Sequence, residues 1–153
     1  MNLKELSVIS LTMLMLSFMG ILMCVSLLFG EDSEGSGTSG ISPGGNSVSE
    51  EVLKHRSMVE KYAKESDILD YVPILLAIIQ VESGGTMEDV MQSSESAGLP
   101  PNSLSTEASI KQGCIYFASL VKSSKELGCD QDSIIQAYNY GGGYLDYVAK
   151  NGK

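Results

Sequence analysis

The sequence is poor in the residues that metal and nucleophile chemistry draw on. It holds one His, His55, and three Cys, with no C-x-x-C, no H-E-x-x-H and no zinc-finger spacing. A metal-dependent mechanism is not expected, and neither is a cofactor. Basic side chains are scarce too: 10 Lys and Arg stand against 19 Asp and Glu, a net charge of -9. Lacking a Lys/Arg surplus to hold a phosphate backbone, the chain is not expected to bind nucleic acid. Gly is frequent, at 16 residues, but has no three-residue period, which removes a collagen-like architecture. There is no Trp and no internal repeat. At 153 residues there is room for one ordinary domain and little else.

What is present is unevenly spread. The 24 residues from Ser7 to Gly30 carry no charged side chain, and an α-helix needs roughly 20 to cross the hydrocarbon core. Apolar residues lie all round this segment rather than on one face, so it is not a surface helix. A cleaved secretory signal is the competing reading, but its apolar region is usually about 7–15 residues and ends in a small-x-small site. The run Ser26-Leu27-Leu28-Phe29-Gly30 is a poor version of that site. An uncleaved single-pass transmembrane anchor over 7–30 is therefore expected, with secretion after cleavage as the alternative. Met23 is too large to precede a lipid-modified Cys, which leaves Cys24 as a thiol among lipid tails. Lys4 and the α-amino group precede the segment, and Glu31, Asp32 and Glu34 follow it. The positive-inside rule then puts the remainder of the chain on the extracellular side of the cell membrane.

Residues 31–47 are rich in Gly and Ser with one large apolar residue, Ile41. Such a stretch buries too little to offset its ordering entropy and reads as a flexible tether, about 20–25 Å in root-mean-square reach. Residues 48–153 carry 15 acidic and nine basic side chains and read as one all-α domain. Ser49 is placed to cap a helix running to about Ser66, with Val52, Val59, Tyr62 and Ala63 on its inner face. His55, near that stripe and with no partner residue beside it, takes a structural or solvated role. In the run DYVPILLAIIQVESGG, Pro73 suits a first helical turn and Gly84-Gly85 a left-handed exit. This second helix is apolar nearly all round, so it belongs in the core; a buried strand is its rival. A loop from Gly84 to Ser105 follows. Thr106 is expected to cap a long helix to about Glu126 with the stripe Ile110, Cys114, Phe117 and Val121, stopped by Gly128. Asp130 or Asp132 starts a helix through Tyr138, and a short amphipathic piece spans Tyr144 to Ala149. Cys114 and Cys129 are not expected to pair. Helix 114–126 separates its ends by roughly 18 Å, whereas a disulfide needs Cα atoms within about 7 Å.

Glu82 stands where a carboxylate is least comfortable. The residues before it form the apolar helix, so it starts against a low-dielectric wall. It occupies a last helical turn, whose unpaired carbonyls disfavour negative charge. No Lys or Arg occurs between Lys64 and Lys111 to neutralise it. Burial and dipole both push its pKa upward. An acid kept protonated near neutral pH can protonate a leaving oxygen, as glycoside cleavage requires. A merely tolerated buried Glu fits the same facts. Downstream, Asp89, Gln92, Ser93, Ser94 and Glu95 crowd into a loop with no basic residue. Gln and Asn amides both donate and accept, which suits the N-acetyl group of a sugar. Tyr138 and Tyr140 offer flat faces to a pyranose ring, although Tyr138 also falls on the face of Ile134 and Ile135 and could be a core aromatic.

The runs IIQVESGG, DVMQSSES and AYNYGGG, in this order, resemble the goose-type lysozyme and lytic-transglycosylase superfamily. The likeness is strongest to the bacterial lysozyme-like domain in cell-wall hydrolases of Gram-positive conjugative elements, and it covers about Glu50 to Lys153. It implies a lysozyme-like helical domain with Glu82 as general acid and Ser83 beside it. By the same resemblance Met91-Gln92 line a sugar groove, and Tyr138, Asn139 and Tyr140 belong to a saccharide-facing signature. The implied activity is cleavage of peptidoglycan glycan strands as an N-acetylmuramidase. The implied biological role is local wall opening for a conjugation or secretion apparatus. An inverting hydrolase needs a second carboxylate about 6.5–9.5 Å from the acid, and a retaining one needs it nearer. Asp89 and Glu95 are the loop candidates, and Asp89 is placed with Glu82 in the catalytic set, with Ser83, Gln92, Ser93, Glu95, Tyr138, Asn139 and Tyr140 as substrate contacts. Lytic transglycosylation needs only the one Glu, and a non-catalytic, membrane-anchored peptidoglycan-binding or scaffold module needs none. The ten-residue step from Glu82 to Gln92 is shorter than in typical lytic transglycosylases. Related domains usually continue with another helix, so this one reads as truncated at its C-terminal side. An acidic domain gains no long-range attraction to a polyanionic wall, so weak binding with slight salt dependence is expected.

Overall fold

A computed structural model describes residues 48–152. The predicted transmembrane segment over 7–30 and tether over 31–47 lie outside the described residues. Among the described residues no helix is long and apolar enough to cross a membrane. All regular structure there is helical: α1 Glu50–Leu53, α2 Arg56–Glu65, α3 Val72–Glu82, α4 Thr106–Leu127, α5 Gln131–Tyr140 and α6 Gly143–Asn151. Short 3-10 turns at Leu69–Tyr71 and Ser94–Ala97 join them.

Ser49 caps α1, its hydroxyl accepting from the Val52 amide at 3.4 Å. The single helix expected from Ser49 to Ser66 is in fact two, broken at Lys54-His55. There the His55 amide tightens to an i−3 bond with the Val52 carbonyl (3.0 Å). The predicted inner face survives the break, since Val52, Val59, Tyr62 and Ala63 are all buried. In α3 every residue from Ile74 to Ile79 is buried, as an apolar surface running all round a helix demands. Pro73 lies in its first turn, where a missing N–H costs no helical bond. The helix reading therefore holds over the strand.

The spine is α4. It packs against α2, α5, α6 and the 3-10 turn at Ser94–Ala97, and α1 and α2 rest on α3. Its stripe of Ile110, Cys114, Phe117 and Val121 faces the core. The N-cap is Ser105 rather than Thr106, a shift of one residue, and Gly128 closes the helix with φ +65°. Asp130 caps α5 by accepting from the Ser133 amide at 2.9 Å. That helix runs two residues past Tyr138, and α6 is longer at both ends than the stretch Tyr144–Ala149. Cys114 and Cys129 are free thiols.

Candidate active site

Helix α3 delivers Glu82 as its last residue, half-buried. The chain then doubles back sharply. The Ser83 hydroxyl donates to the Val90 carbonyl at 2.8 Å and accepts from the Gly85 amide at 3.1 Å. Gly84 and Gly85 take positive φ, +60° and +76°, which suits Gly far better than any L side chain. Gly85 is also pinned by contact, because a Cβ there would lie 2.7 Å from the Glu51 carbonyl oxygen. From the other side, His55 Nε2 lies 3.0 Å from the Gly85 carbonyl oxygen, and the Ser49 amide donates to Gln80 Oε1 at 2.7 Å. His55 is thus a structural tie. The kink between α1 and α2 and the turn after Glu82 are built against each other.

The fold-back buries Asp89, which is 1% exposed. Four donors meet its carboxylate. Oδ1 accepts from the Ser93 amide at 3.0 Å and the Ser109 hydroxyl at 2.6 Å. Oδ2 accepts from the Ser94 amide at 3.2 Å and from the Ser94 hydroxyl. Burial by itself would raise this carboxyl, but the Ser109 and Ser94 hydroxyls and the two amides outweigh it and hold the group below the usual carboxylate range. Asp89 is therefore an anion near neutral pH. Glu82 goes the other way. Loss of water, followed by the negative charge of Asp89, lifts it from about 4.5 to about 7.

The remaining predicted residues divide. Ser93 is buried, its hydroxyl donating to the Ser109 carbonyl at 2.9 Å, so it holds the loop rather than presenting a surface. Gln92 sits at φ +48°, with its amide NH2 donating to the Asp89 carbonyl (2.9 Å) and to Asn102 Oδ1 (2.7 Å). Met91, expected to line a groove, is fully buried instead. It nests on Gly113 of α4, where a Cβ would come within 2.5 Å of its sulfur. Glu95 is exposed in its 3-10 turn, and the charge that acts on Glu82 is that of Asp89. Tyr138 is a core aromatic and not a sugar platform. Its ring packs against Tyr116 and Phe117, and its hydroxyl donates to the Met91 carbonyl at 3.0 Å. Burial, and after it the neighbouring Glu82, pushes its phenol well up, so it stays a donor. Asn139 holds its side-chain Nδ2 buried with no hydrogen-bond partner. Tyr140 is 43% exposed.

Two residues of this site were not singled out from the sequence, Ser109 and Gly113. Their signal was present: Ser109, Gly113 and Phe117 follow one another at four-residue steps, a buried row of two small side chains and a ring. Cys114 is no nucleophile, since burial lifts its thiol to about 12. Among the described residues no cluster of three His, Cys, Asp or Glu side chains could hold a metal ion.

A family model described as lysozyme-like matches residues 49–153, which is the whole helical body. The chain belongs to the lysozyme-like family. The bifunctional muramidase/DL-endopeptidase CwlT of Bacillus subtilis is 44% identical over 129 residues, 80% of this chain and 36% of CwlT. The uncharacterized membrane protein YocA of the same organism is 40% identical over 106 residues, 69% of this chain and 47% of YocA. Among solved structures, one described as similar to a lipoprotein of the NLP/P60 family from Staphylococcus aureus superposes with a TM-score of 0.69 at 67% identity. That match covers 69% of this chain and 36% of the other. The chain thus spans between a third and a half of the length of these relatives.

Proposed function

We propose that this lysozyme-like domain cleaves peptidoglycan glycan strands as a muramidase, at the MurNAc-GlcNAc β-1,4 bond, with Glu82 as the general acid. One observation carries the reading: a half-buried Glu at a helix end, beside an Asp that four donors keep ionised. The bound glycan brings its scissile oxygen to Glu82, whose carboxyl is raised to about 7 and so holds its proton closer to neutral pH than an ordinary Glu does. Proton transfer to the leaving oxygen lets the glycosidic bond break through an oxocarbenium-like state, and water then adds to the anomeric carbon and returns a proton to the Glu82 carboxylate. Loss of water, with the charge of Asp89 added to it, keeps the proton on Glu82. Asn139 Nδ2, buried without a partner, would have to come to the surface before it could donate to the N-acetyl carbonyl of a sugar. The name of CwlT as a muramidase supports the substrate.

A second reading has its own support. Both Asp89 oxygens are already occupied, so activating a water would require breaking a buried network. A lytic transglycosylase avoids that step, since the muramyl 6-hydroxyl attacks in place of water and leaves a 1,6-anhydro end. The experiment is digestion of purified peptidoglycan followed by mass spectrometry of the products. Reducing muramic ends establish hydrolysis, anhydro ends establish transglycosylation, and an undigested wall defeats both. The apolar segment at 7–30 and the likeness to the membrane protein YocA support a membrane-anchored placement on the wall side. There the domain would open the wall locally for a transfer or secretion apparatus, and fractionation of cells with and without protease treatment tests the placement.

A further inference from the structure

A row of tyrosines runs from the outer face of α5 onto α6. Tyr140 and Tyr144 have ring centroids 5.5 Å apart, Tyr144 and Tyr147 6.4 Å apart, and each pair is tilted by only 30°. With Gln136 these rings line an open cavity of about 420 Å³. Tyr140 is 43% and Tyr147 63% exposed. Tyr138 is the side chain of α5 near enough to feel the charges of Glu82 and Asp89. Gln136 and Tyr140 each lie two residues from Tyr138, about 200° round the helix. Tyr138 points inward to the Met91 carbonyl, so Gln136 and Tyr140 point out.

We propose that this shelf is a second glycan-binding site, holding a peptidoglycan sugar strand apart from the bond cleaved at Glu82; it rests on the reading that the domain acts on glycan strands. The chemistry of the lining favours a sugar. The less polar face of a pyranose presents C–H groups to the negative face of an aromatic ring. Rings in a gently turning row offer that contact to successive sugar units. The Tyr144 hydroxyl donates to Gln136 Oε1, and an amide so engaged at its oxygen still has NH2 donors to offer a ligand oxygen. None of the four lining residues carries a charge near neutral pH. That suits an acidic domain whose wall is polyanionic, because the sugar face is the part of the wall that charge does not repel. A second copy of the chain is a poorer occupant. Four side chains fall far short of the roughly 20–30 residues a side that a stable protein interface uses.

The test uses the full chain carrying Glu82→Gln, so that binding is read without cleavage, and chitotetraose as the probe. With 13C-labelled tyrosine, the ring signals of Tyr140, Tyr144 and Tyr147 should move on titration. Tyr147→Ala should weaken that response about 5- to 10-fold, while Tyr147→Phe, which keeps the ring, should restore most of it. A tenfold rise in salt should change the affinity by no more than about twofold. Shelf signals that stay still, or an affinity unaltered by Tyr147→Ala, overturn the proposal. Shelf signals that move with protein concentration instead of sugar assign the surface to self-association and also overturn it. Cleavage by the Glu82 chain is scored separately. A domain that cuts glycan with an unresponsive shelf loses only the second site, and a domain that binds on the shelf without cutting loses only the enzyme reading.

Discussion

Glu82 and Asp89 stand seven residues apart on one fold-back, and the fold treats them in opposite ways. Asp89 is the more deeply buried, at 1% exposure, yet it is the one held ionised. Glu82 is only half-buried, yet its carboxyl is raised to about 7. Depth alone does not decide protonation; what matters is whether donors replace the water that burial removes. Around Asp89 two backbone amides and two hydroxyls replace the lost water. Glu82 has an apolar helix behind it and the charge of Asp89 nearby. A fixed anion next to a poorly solvated acid is a way to keep a proton available without any basic residue.

The largest effect should come from removing the acid itself. Glu82→Gln is expected to lower peptidoglycan cleavage by about 10²- to 10⁴-fold, measured by muropeptide release. The same change should raise stability above pH 7. In the wild type the protonated form is favoured in the folded state, so that contribution is complete below about 4.5 and is lost as pH rises to about 7. Gln has no proton to lose there. Thermal melts at pH 8 should favour the variant by on the order of 2 kcal/mol, a figure reduced because the group is only half-buried. Equal melts at pH 8 would mean that Glu82 titrates ordinarily, and the contrast with Asp89 would collapse. Activity should likewise fall as pH rises through about 7.

Asp89→Asn attacks the other member. One carboxylate oxygen becomes an NH2, which faces donors instead of accepting from them, at a cost of about 2–4 kcal/mol in a denaturant melt. With the charge gone, the alkaline limb of the activity profile should move to lower pH. It should not return to an ordinary Glu value, because loss of water is the larger cause and remains. Were Asp89 the base that activates water, the variant would be nearly inactive at every pH instead of displaced along the axis.

Gly85→Ala tests the turn between the two carboxylates. The substitution puts a methyl 2.7 Å from the Glu51 carbonyl at φ +76°. A loss of about 2 kcal/mol or more is expected in thermal or denaturant melts. An Ala variant as stable as the wild type would show that α1 does not clamp the turn.

The legibility of this arrangement from sequence follows the physics. The helices were readable because each carries its own period, cap or stop within a few residues, as with Pro73, Gly128 and the stripe from Ile110 to Val121. The break at Lys54-His55 was not. Its partner is the Gly85 carbonyl, 30 residues on, and no local pattern reports a contact at that range. Glu82 was found because its discomfort is local, an acid ending an apolar run. The treatment of Asp89 was hidden because one of its four donors, Ser109, lies 20 residues away on α4. Tyr138 stayed ambiguous for the same reason, since a Tyr looks alike whether it stacks on sugar or hangs a hydroxyl on a buried carbonyl.

The smallest effect is also the most specific to that distant donor. The Ser109 hydroxyl donates to Asp89 Oδ1 at 2.6 Å and accepts from the Met91 amide at 3.0 Å. Ser109→Ala deletes these bonds, and a longer one accepted from the Ser93 hydroxyl at 3.5 Å, without adding bulk, so a loss of about 1–3 kcal/mol is expected in a urea melt near neutral pH. Its pH dependence carries the argument. A lowered carboxyl contributes stability at neutral pH that is lost as pH falls through its folded-state value. With one donor fewer, the Asp89 carboxyl rises and that loss begins at a higher pH. At pH 7 Asp89 remains charged, so Glu82 keeps its raised value and the alkaline limb of activity should stay in place. A variant whose acid unfolding is unshifted would show that Ser109 merely fills space; a variant whose alkaline limb moves would show that it acts on Glu82 directly.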